Sequence, residues 1–236
     1  MRVITLINAK GGPGKSTLSA SLAVAAAEAG ESVIALDLDP QRSLAMWGDK
    51  RKADTPAVDQ VDAGELPDIL ATLANRFSVA IIDTAGTAGT ATNLAVQGAD
   101  LCLVPARPSW LDIQATLATV DAVRRMGKPF AFVLNQCPPT PRSRRSSEAA
   151  AGLQSLGVLA NPLMTQRADY QDAIAAGLGV TEYAPAGKAA EEVRALWSWI
   201  DRTMNRSVAQ SSRTTGTIIA AGLLLIVISF AVLLAL

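Results

Sequence analysis

The sequence predicts an α/β fold, a doubly wound and mainly parallel sheet with helices on both faces, followed by a C-terminal transmembrane helix. Short apolar runs alternate with helical patterns along most of the 236 residues, the order expected of βα units. Each run is nearly continuous in apolar character, as strands covered on both faces must be. The final stretch, TIIAAGLLLIVISFAVLLAL from Thr217 to Leu236, carries no charge on any face. A helix of that length rises about 30 Å, the hydrocarbon thickness of a bilayer.

Strand Val3 to Ile7 comes first and runs almost directly into KGGPGKST, Lys10 to Thr17. The alanine-rich helix behind it spans Lys15 to Ala29, alanine being the best helix former. Strand Val33 to Leu36, helix Leu66 to Asn75 and strand Val79 to Ile82 follow, then strand Leu101 to Val104 and helix Ile113 to Met126. Strand Phe130 to Leu134, helix Ser146 to Leu156, and helices near Tyr170 to Ala176 and Ala189 to Thr203 complete the domain. From Asn205 to Thr215 the chain is polar and rich in Ser, Thr and Arg, the composition of a flexible linker. The expected division is a folded domain over 1–204, a polar linker over 205–216 and a tail anchor over 217–236. Arg202, Arg206 and Arg213 precede the anchor, and the positive-inside tendency puts them, with the domain, on the cytoplasmic side of the inner membrane. The N-terminus opens on a strand and shows no targeting segment.

Composition narrows the chemistry. Half of the residues are hydrophobic, enough for a sizeable core, and 21 basic residues cancel 21 acidic ones, which removes any global electrostatic argument for nucleic acid. The absence of histidine excludes His-based acid–base chemistry and His-containing metal sites. Cys102 and Cys137 stand alone in apolar surroundings, which reads as buried thiols in a reducing compartment rather than a zinc site or a disulfide framework.

The turn after the first strand carries the chemistry. Gly11, Gly12 and Gly14 permit a backbone turn whose N–H groups converge on phosphate oxygens, and the next helix aims its positive end at the same point. Lys15 supplies a mobile charge for the β- and γ-phosphates, the Ser16 hydroxyl completes Mg²⁺ coordination, and Thr17 closes the motif. Against the nucleotide loop G-x-x-x-x-G-K-[ST], Ala9 or Lys10 replaces the first glycine, and Lys10 exceeds what holding one phosphate requires. Asp37, Asp39, Asp83 and Asn135 stand just after strands, at the carboxyl edge where doubly wound sheets bind ligands. Helix capping is the alternative reading for Asp37, Asp39 and Asp83, and a strand-end turn for Asn135.

KGGPGKST resembles the deviant Walker A motif K-G-G-x-G-K-[ST] of the ParA/MinD group of P-loop ATPases. LDLDPQ, Leu36 to Gln41, resembles that family's second motif; AIIDTAG, Ala80 to Gly86, its Walker B strand end; and LVPARPS, Leu103 to Ser109, its proline-containing stretch against adenine. The resemblance covers roughly residues 1–200 and is closest to the small ParA proteins of plasmid partition. It implies a P-loop NTPase fold, ATP and Mg²⁺ as cofactors, slow partner-stimulated hydrolysis, and a homodimer formed on ATP binding. Lys10 would then reach the partner's phosphates and Lys15 its own chain's. Asp39 would orient the attacking water, Asp83 would hold the metal through water with Asp37 behind it, and Pro105, Pro108 and Asn135 would meet adenine. A ParB-like or other activating protein is the implied partner. Nonspecific DNA is a further one, with Arg142, Arg144, Arg145 and Arg167 as contact candidates.

The chain also departs from the pattern. TAG replaces the proline pair that follows the Walker B aspartate in many members, no DNA-reading domain is expected before Met1, and the fully apolar tail differs from MinD's amphipathic helix. Three readings compete. They are an ATPase that positions or segregates cargo, a membrane-anchored switch or scaffold that recruits a partner, and a P-loop tyrosine kinase, which Tyr170 and Tyr183 as the only tyrosines argue against. A nitrogenase-like reductase is set aside because both cysteines lie on or at the end of strands.

Overall fold

The computed structural model describes residues 1–140 and 143–206. The chain divides into two units, Met1–Trp199 and Ile200–Leu236. In the second, residues 200–206 are described and are helical, so helix continues past Asn205, where the linker was expected to begin. The apolar stretch Thr217 to Leu236 lies outside the described residues; among those described, no helix is long and apolar enough to cross a membrane.

The first unit is built on six strands: β1 Arg2–Leu6, β2 Val33–Asp37, β3 Ala57–Gln60, β4 Val79–Asp83, β5 Leu101–Ala106 and β6 Phe130–Leu134. They lie in the order β3-β2-β4-β1-β5-β6 and every pairing is parallel. The helices are α1 Lys15–Glu28, α2 Ser43–Lys50, α3 Leu66–Leu73, α4 Thr90–Gly98, α5 Trp110–Arg125, α6 Arg144–Leu156, α7 Ala168–Ala175 and α8 Val180–Tyr183. Residues 188–199, which end this unit, are helical as well.

The five strands expected from apolar runs are present, and the structure adds β3, α2, α4 and the short α8. β3 pairs only with β2, and its Asp59 and Gln60 are exposed; an edge strand need not be apolar throughout. α4, with sequence TATNLAVQG, consists largely of weak helix formers and buries only Ala95 and Val96, so packing against its neighbours decides its conformation.

Alternation along the strands sends Val3, Ile34, Leu36, Ala80 and Ile82 to one face, where Leu66 and Ala95 of α3 and α4 cover them. On the same face Cys102, Val104, Phe132 and Leu134 are covered by Val120 and Val123 of α5 and by Leu153 of α6. Ile4, Leu6, Ala35 and Ile81 point the other way and are equally buried, with α1 packed over β2 and β4. Each fully buried Leu or Ile contributes about 1.5–3 kcal/mol, and burial on both faces explains the unbroken apolar runs.

This topology fixes the site. β1 lies between β4 and β5, with Leu6 in register with Asp83. Asp37 and Asp83 are register partners at the ends of β2 and β4. The glycine loop after β1 therefore opens among strand-end carboxylates.

Candidate functional site

The loop from Asn8 to Gly14 ends at Gly14, which lies in the left-handed region at φ 89°. A Cβ there would sit 2.6 Å from Asn135 Nδ2, so the position excludes other side chains both conformationally and sterically. No side chain caps the N-terminus of α1, and its first N–H groups are left for an anion. Gly86 lies so close that a Cβ would be 3.1 Å from Gly11 N, which lays the loop after β4 directly on the glycine loop. Thr84 donates its hydroxyl to the Leu6 carbonyl at 2.9 Å and ties that loop to β1.

Lys15 is buried, and its ammonium has only long contacts, 3.5 Å to the carbonyls of Asn8 and Lys10. Burial lowers its pKa, opposed by the charges of Asp83 and Asp39. It is a desolvated cation whose carbonyl partners are distant, the kind of side chain that an anion in the cleft would stabilise.

Lys10 is held differently. Its Nζ lies 3.2 Å from Asp112 Oδ1 on the first turn of α5, while its backbone N–H donates to Asn8 Oδ1 at 2.9 Å. Arg107 Nε bonds the same Asp112 oxygen at 3.0 Å, and the Ser109 hydroxyl bonds the other. Burial pushes the Asp112 carboxyl up, but hydrogen bonds from Ser109, Arg107 and Lys10 and the Arg107 charge outweigh it and hold it below the ordinary value. Neither Asp112 nor Arg107 was singled out from the sequence. The signal was there: Ser109 accepts from the Asp112 N–H as the cap of α5, a Ser-x-x-Asp capping spacing legible in PSWLD.

The three strand-end aspartates take different roles. Asp37 is fully buried; one of its oxygens accepts from Asp39 N at 2.9 Å and the other from Leu44 N and Ala45 N at 2.9 Å, so it does cap α2. Asp39 accepts from Gln41 N at 2.9 Å and lines the cleft. Asp83 accepts from Ser19 Oγ at 3.3 Å through Oδ1, whereas its buried Oδ2 has no partner. Burial pushes Asp83 up to about 7, aided by the Asp37 charge and opposed by Ser16, Lys15 and Ser19.

A cleft of about 690 Å³ opens beside Asp39, lined by the glycine loop with Lys15, Ser16 and Thr17, by Asp39, Gln41 and Trp47, and by Ala85 to Thr87, whereas Asp37 and Asp83 are buried behind its wall. That volume suits a nucleotide. A smaller cavity of about 120 Å³ adjoins it, walled by Gly14, Asn135, Gln136, Gln166, Arg167 and Tyr170. Among the described residues no group of three or more His, Cys, Asp or Glu could hold a metal ion. Mg²⁺ needs only one or two protein groups when phosphates complete its shell. The unpartnered Asp83 oxygen and the nearby Ser16 hydroxyl fit that requirement.

The family model described as the CobQ/CobB/MinD/ParA nucleotide-binding domain matches residues 4–180. The chain belongs to that family. Protein ParA of Rhizobium radiobacter is 30% identical over 181 residues, 72% of this chain and 81% of the relative. The maintenance of carboxysome distribution protein A of Gloeobacter kilaueensis is 30% identical over 211 residues, 87% of this chain and 94% of the relative. The MinD structure from Pyrococcus horikoshii, complexed with Mg-ADP, superposes with a TM-score of 0.70 at 19% identity and covers 86% of this chain and 96% of its own. The chain thus carries a nucleotide-binding ATPase domain of the ParA/MinD type.

Other expected site residues lie around this cleft or apart from it. Pro105 and Pro108 line neither cavity. Pro105 is a residue of β5 beyond Leu103, where the β1 ladder stops, so its missing N–H costs no ladder bond, and its carbonyl accepts from Asn8 Nδ2 at 2.7 Å. Asn135 lines the smaller cavity, but its amide donates to the Pro13 carbonyl at 2.8 Å and its oxygen accepts from Gln136 N at 2.9 Å. It braces the glycine loop. Of the DNA-contact candidates, Arg142 lies outside the described residues. Arg144 pairs with Glu148 at 2.7 Å on an exposed helix face, and Arg145 is exposed beside it. Arg167 is bound to Glu192 at 2.7 Å in a half-buried setting, and Glu192 also accepts from Thr165 N at 3.0 Å, so this arginine ties the 165–167 loop to the helix 188–199.

Proposed function

We propose that the protein is a Mg²⁺-dependent ATPase that dimerises on ATP and uses hydrolysis to position or segregate cargo, either DNA or a protein complex. The observation that carries this reading is the pair of lysines flanking one glycine loop. Lys15 is buried inside the cleft with weak partners, and Lys10 is on the rim, held by a single carboxylate. Lys10 does not line its own cleft, and its part-exposed side chain supports a role at a second copy's phosphates. In that arrangement Lys15 and the N-terminus of α1 hold the β- and γ-phosphates, Asp39 holds the attacking water in line, and Lys10 of one copy adds positive charge at the other's γ-phosphate. Phosphoryl transfer asks chiefly for such positioning and charge neutralisation. Mg²⁺, held by Ser16 and through water by Asp83, would offset the charge that develops between the β- and γ-phosphates. An activating partner of the ParB kind, recognising the dimer, would set the hydrolysis rate.

The apolar segment Thr217 to Leu236 supports location at the inner membrane with the ATPase domain in the cytoplasm, and with it the reading of a MinD-like anchored switch or scaffold. Fractionation of the full-length chain beside one ending at Arg206 tests this; full-length protein in the soluble fraction removes the anchor. Dimerisation and turnover test the main reading. With ATP, wild-type protein should dimerise and release phosphate, Lys10→Ala should bind nucleotide yet remain monomeric, and Asp39→Ala should accumulate as an ATP-bound dimer. Full turnover in Lys10→Ala would overturn the shared site.

A further inference from the structure

The Lys10 contact poses a physical problem. If Lys10 leaves Asp112 for a second copy's phosphate, a carboxylate about 4% exposed stands to lose its cation, and an uncompensated buried charge is strongly unfavourable. Asp112, however, is supplied twice over. Arg107 Nε and Lys10 Nζ lie 3.0 Å and 3.2 Å from the same oxygen, Oδ1, while Ser109 Oγ serves Oδ2. Two cations on one oxygen repel each other, and only one is needed to balance it.

We infer that Arg107 is a positioning residue for dimerisation: it stays on Asp112 as a substitute cation, so that Lys10 is free to leave without exposing an unpaired carboxylate. The inference rests on the reading that Lys10 acts in the second copy's site, and it assigns a role to a side chain outside the nucleotide motifs. The guanidinium suits the task. Its planar fork holds a carboxylate whether or not a second donor is present, and its NH1 lies 3.8 Å from where a Cβ on Gly12 would be, beside the loop that carries Lys10. Lys10's backbone is fixed by Asn8 at 2.9 Å, so the exchange needs only the lysine side chain to swing. Without Arg107, Lys10 is the only cation left to Asp112, and the carboxylate holds it at home.

The test is dimerisation of the full-length chain in detergent, read as energy transfer between copies labelled at the amino terminus, in the presence of a non-hydrolysable ATP analogue. Monomer affinity for the analogue is measured in parallel. Arg107→Ala should bind the analogue normally but dimerise about tenfold to a hundredfold more weakly, the worth of one hydrogen bond to a charged group. Arg107→Lys should recover much of the loss. Adding Asp112→Asn to Arg107→Ala should restore dimerisation to the level of Asp112→Asn alone, because a neutral amide no longer retains Lys10. Wild-type dimerisation in Arg107→Ala, or a loss that persists in the double variant, overturns the inference. Normal dimerisation in Lys10→Ala would instead remove the underlying reading, and the two failures are distinct.

Discussion

Arg51→Ala probes how the wall of the cleft is held. The guanidinium meets both oxygens of Glu182 at 2.9 Å, the Gly177 carbonyl at 3.2 Å and the Thr55 carbonyl at 2.6 Å, and it stacks 4.8 Å from the centre of the Trp47 ring. Its side chain is 2% exposed against 27% for Glu182. Removing it leaves the carboxylate with the Gly179 N–H at 2.7 Å and strips two carbonyls of a donor. Loss of one partner from a buried pair costs about 3–5 kcal/mol. Because water reaches Glu182, the low end applies, about 3 kcal/mol, or a fall of about 6–12 °C in Tm for a domain of this size. Urea unfolding of nucleotide-free protein should show a lower midpoint at unchanged slope. The pH dependence supplies a second check. Burial pushes Glu182 up, but the Arg51 hydrogen bond, the Gly179 N–H and the Arg51 charge reverse this and leave it below its ordinary 4.5. A carboxyl lowered on folding stabilises above the unfolded value, and that contribution disappears as pH falls through the folded one. Wild type should therefore lose stability below pH 4.5 through this group, and Arg51→Ala should lack that component. A loss under about 1 kcal/mol, typical of an exposed pair, or identical acid profiles for the two proteins, would refute the buried-clamp argument.

Asp83 gives the opposite pH sign. Its carboxyl rises from 3.8 to about 7 on folding, so nucleotide-free protein should become less stable as pH climbs through that window; Asp83→Asn should flatten the profile and abolish Mg²⁺-dependent turnover, as read by thermal melts and phosphate release. Gly14→Ala and Gly30→Ala form a matched pair, with φ of 89° and 92°. Only the first meets a neighbour, Asn135, so Gly30→Ala should cost about 1–2 kcal/mol of strain alone and Gly14→Ala should cost more and lose nucleotide binding. Lys15→Ala should lose nucleotide affinity in isothermal titration while keeping its melting temperature within a few degrees; unchanged affinity would remove Lys15 from the phosphate site.

The central strands and the glycine loop were legible because burial on both faces leaves a continuous apolar run and because phosphate binding demands glycines at fixed spacing. β3 was not legible: half of its AVDQ faces solvent and obeys no burial constraint. The strand-end aspartates could be found from sequence, but their partners could not. Nothing in LDLDPQ says that Leu44 and Ala45 will donate to Asp37, since α2 was itself invisible. Arg167 in TQRADY looked like a surface cation until Glu192, far along the chain, was brought against it. Arg107 and Asp112 were overlooked for a related reason: the Ser-x-x-Asp spacing shows the cap of α5, but the contact of Asp112 with Lys10 joins the first turn of that helix to the glycine loop, and the β1–β5 pairing makes these neighbours.

The aligned carboxylates of Asp37 and Asp83 are treated differently by the fold around them. Two charges ending adjacent buried strands repel, and the fold answers the problem asymmetrically. Asp37 receives N–H groups from Asp39, Leu44 and Ala45, including the positive end of α2, which stabilises its charge without a metal. Asp83 receives a hydroxyl at 3.3 Å on one oxygen and no partner on the other. The first carboxylate is therefore a structural reference: it fixes the backbone of Asp39 and starts α2, whose Trp47 lines the cleft and whose neighbour Arg51 locks onto α8. The second is the one that the proposed Mg²⁺ site would use. The two sequence motifs name both aspartates, and the pattern of backbone donors around them separates the one that builds the site from the one that would use it.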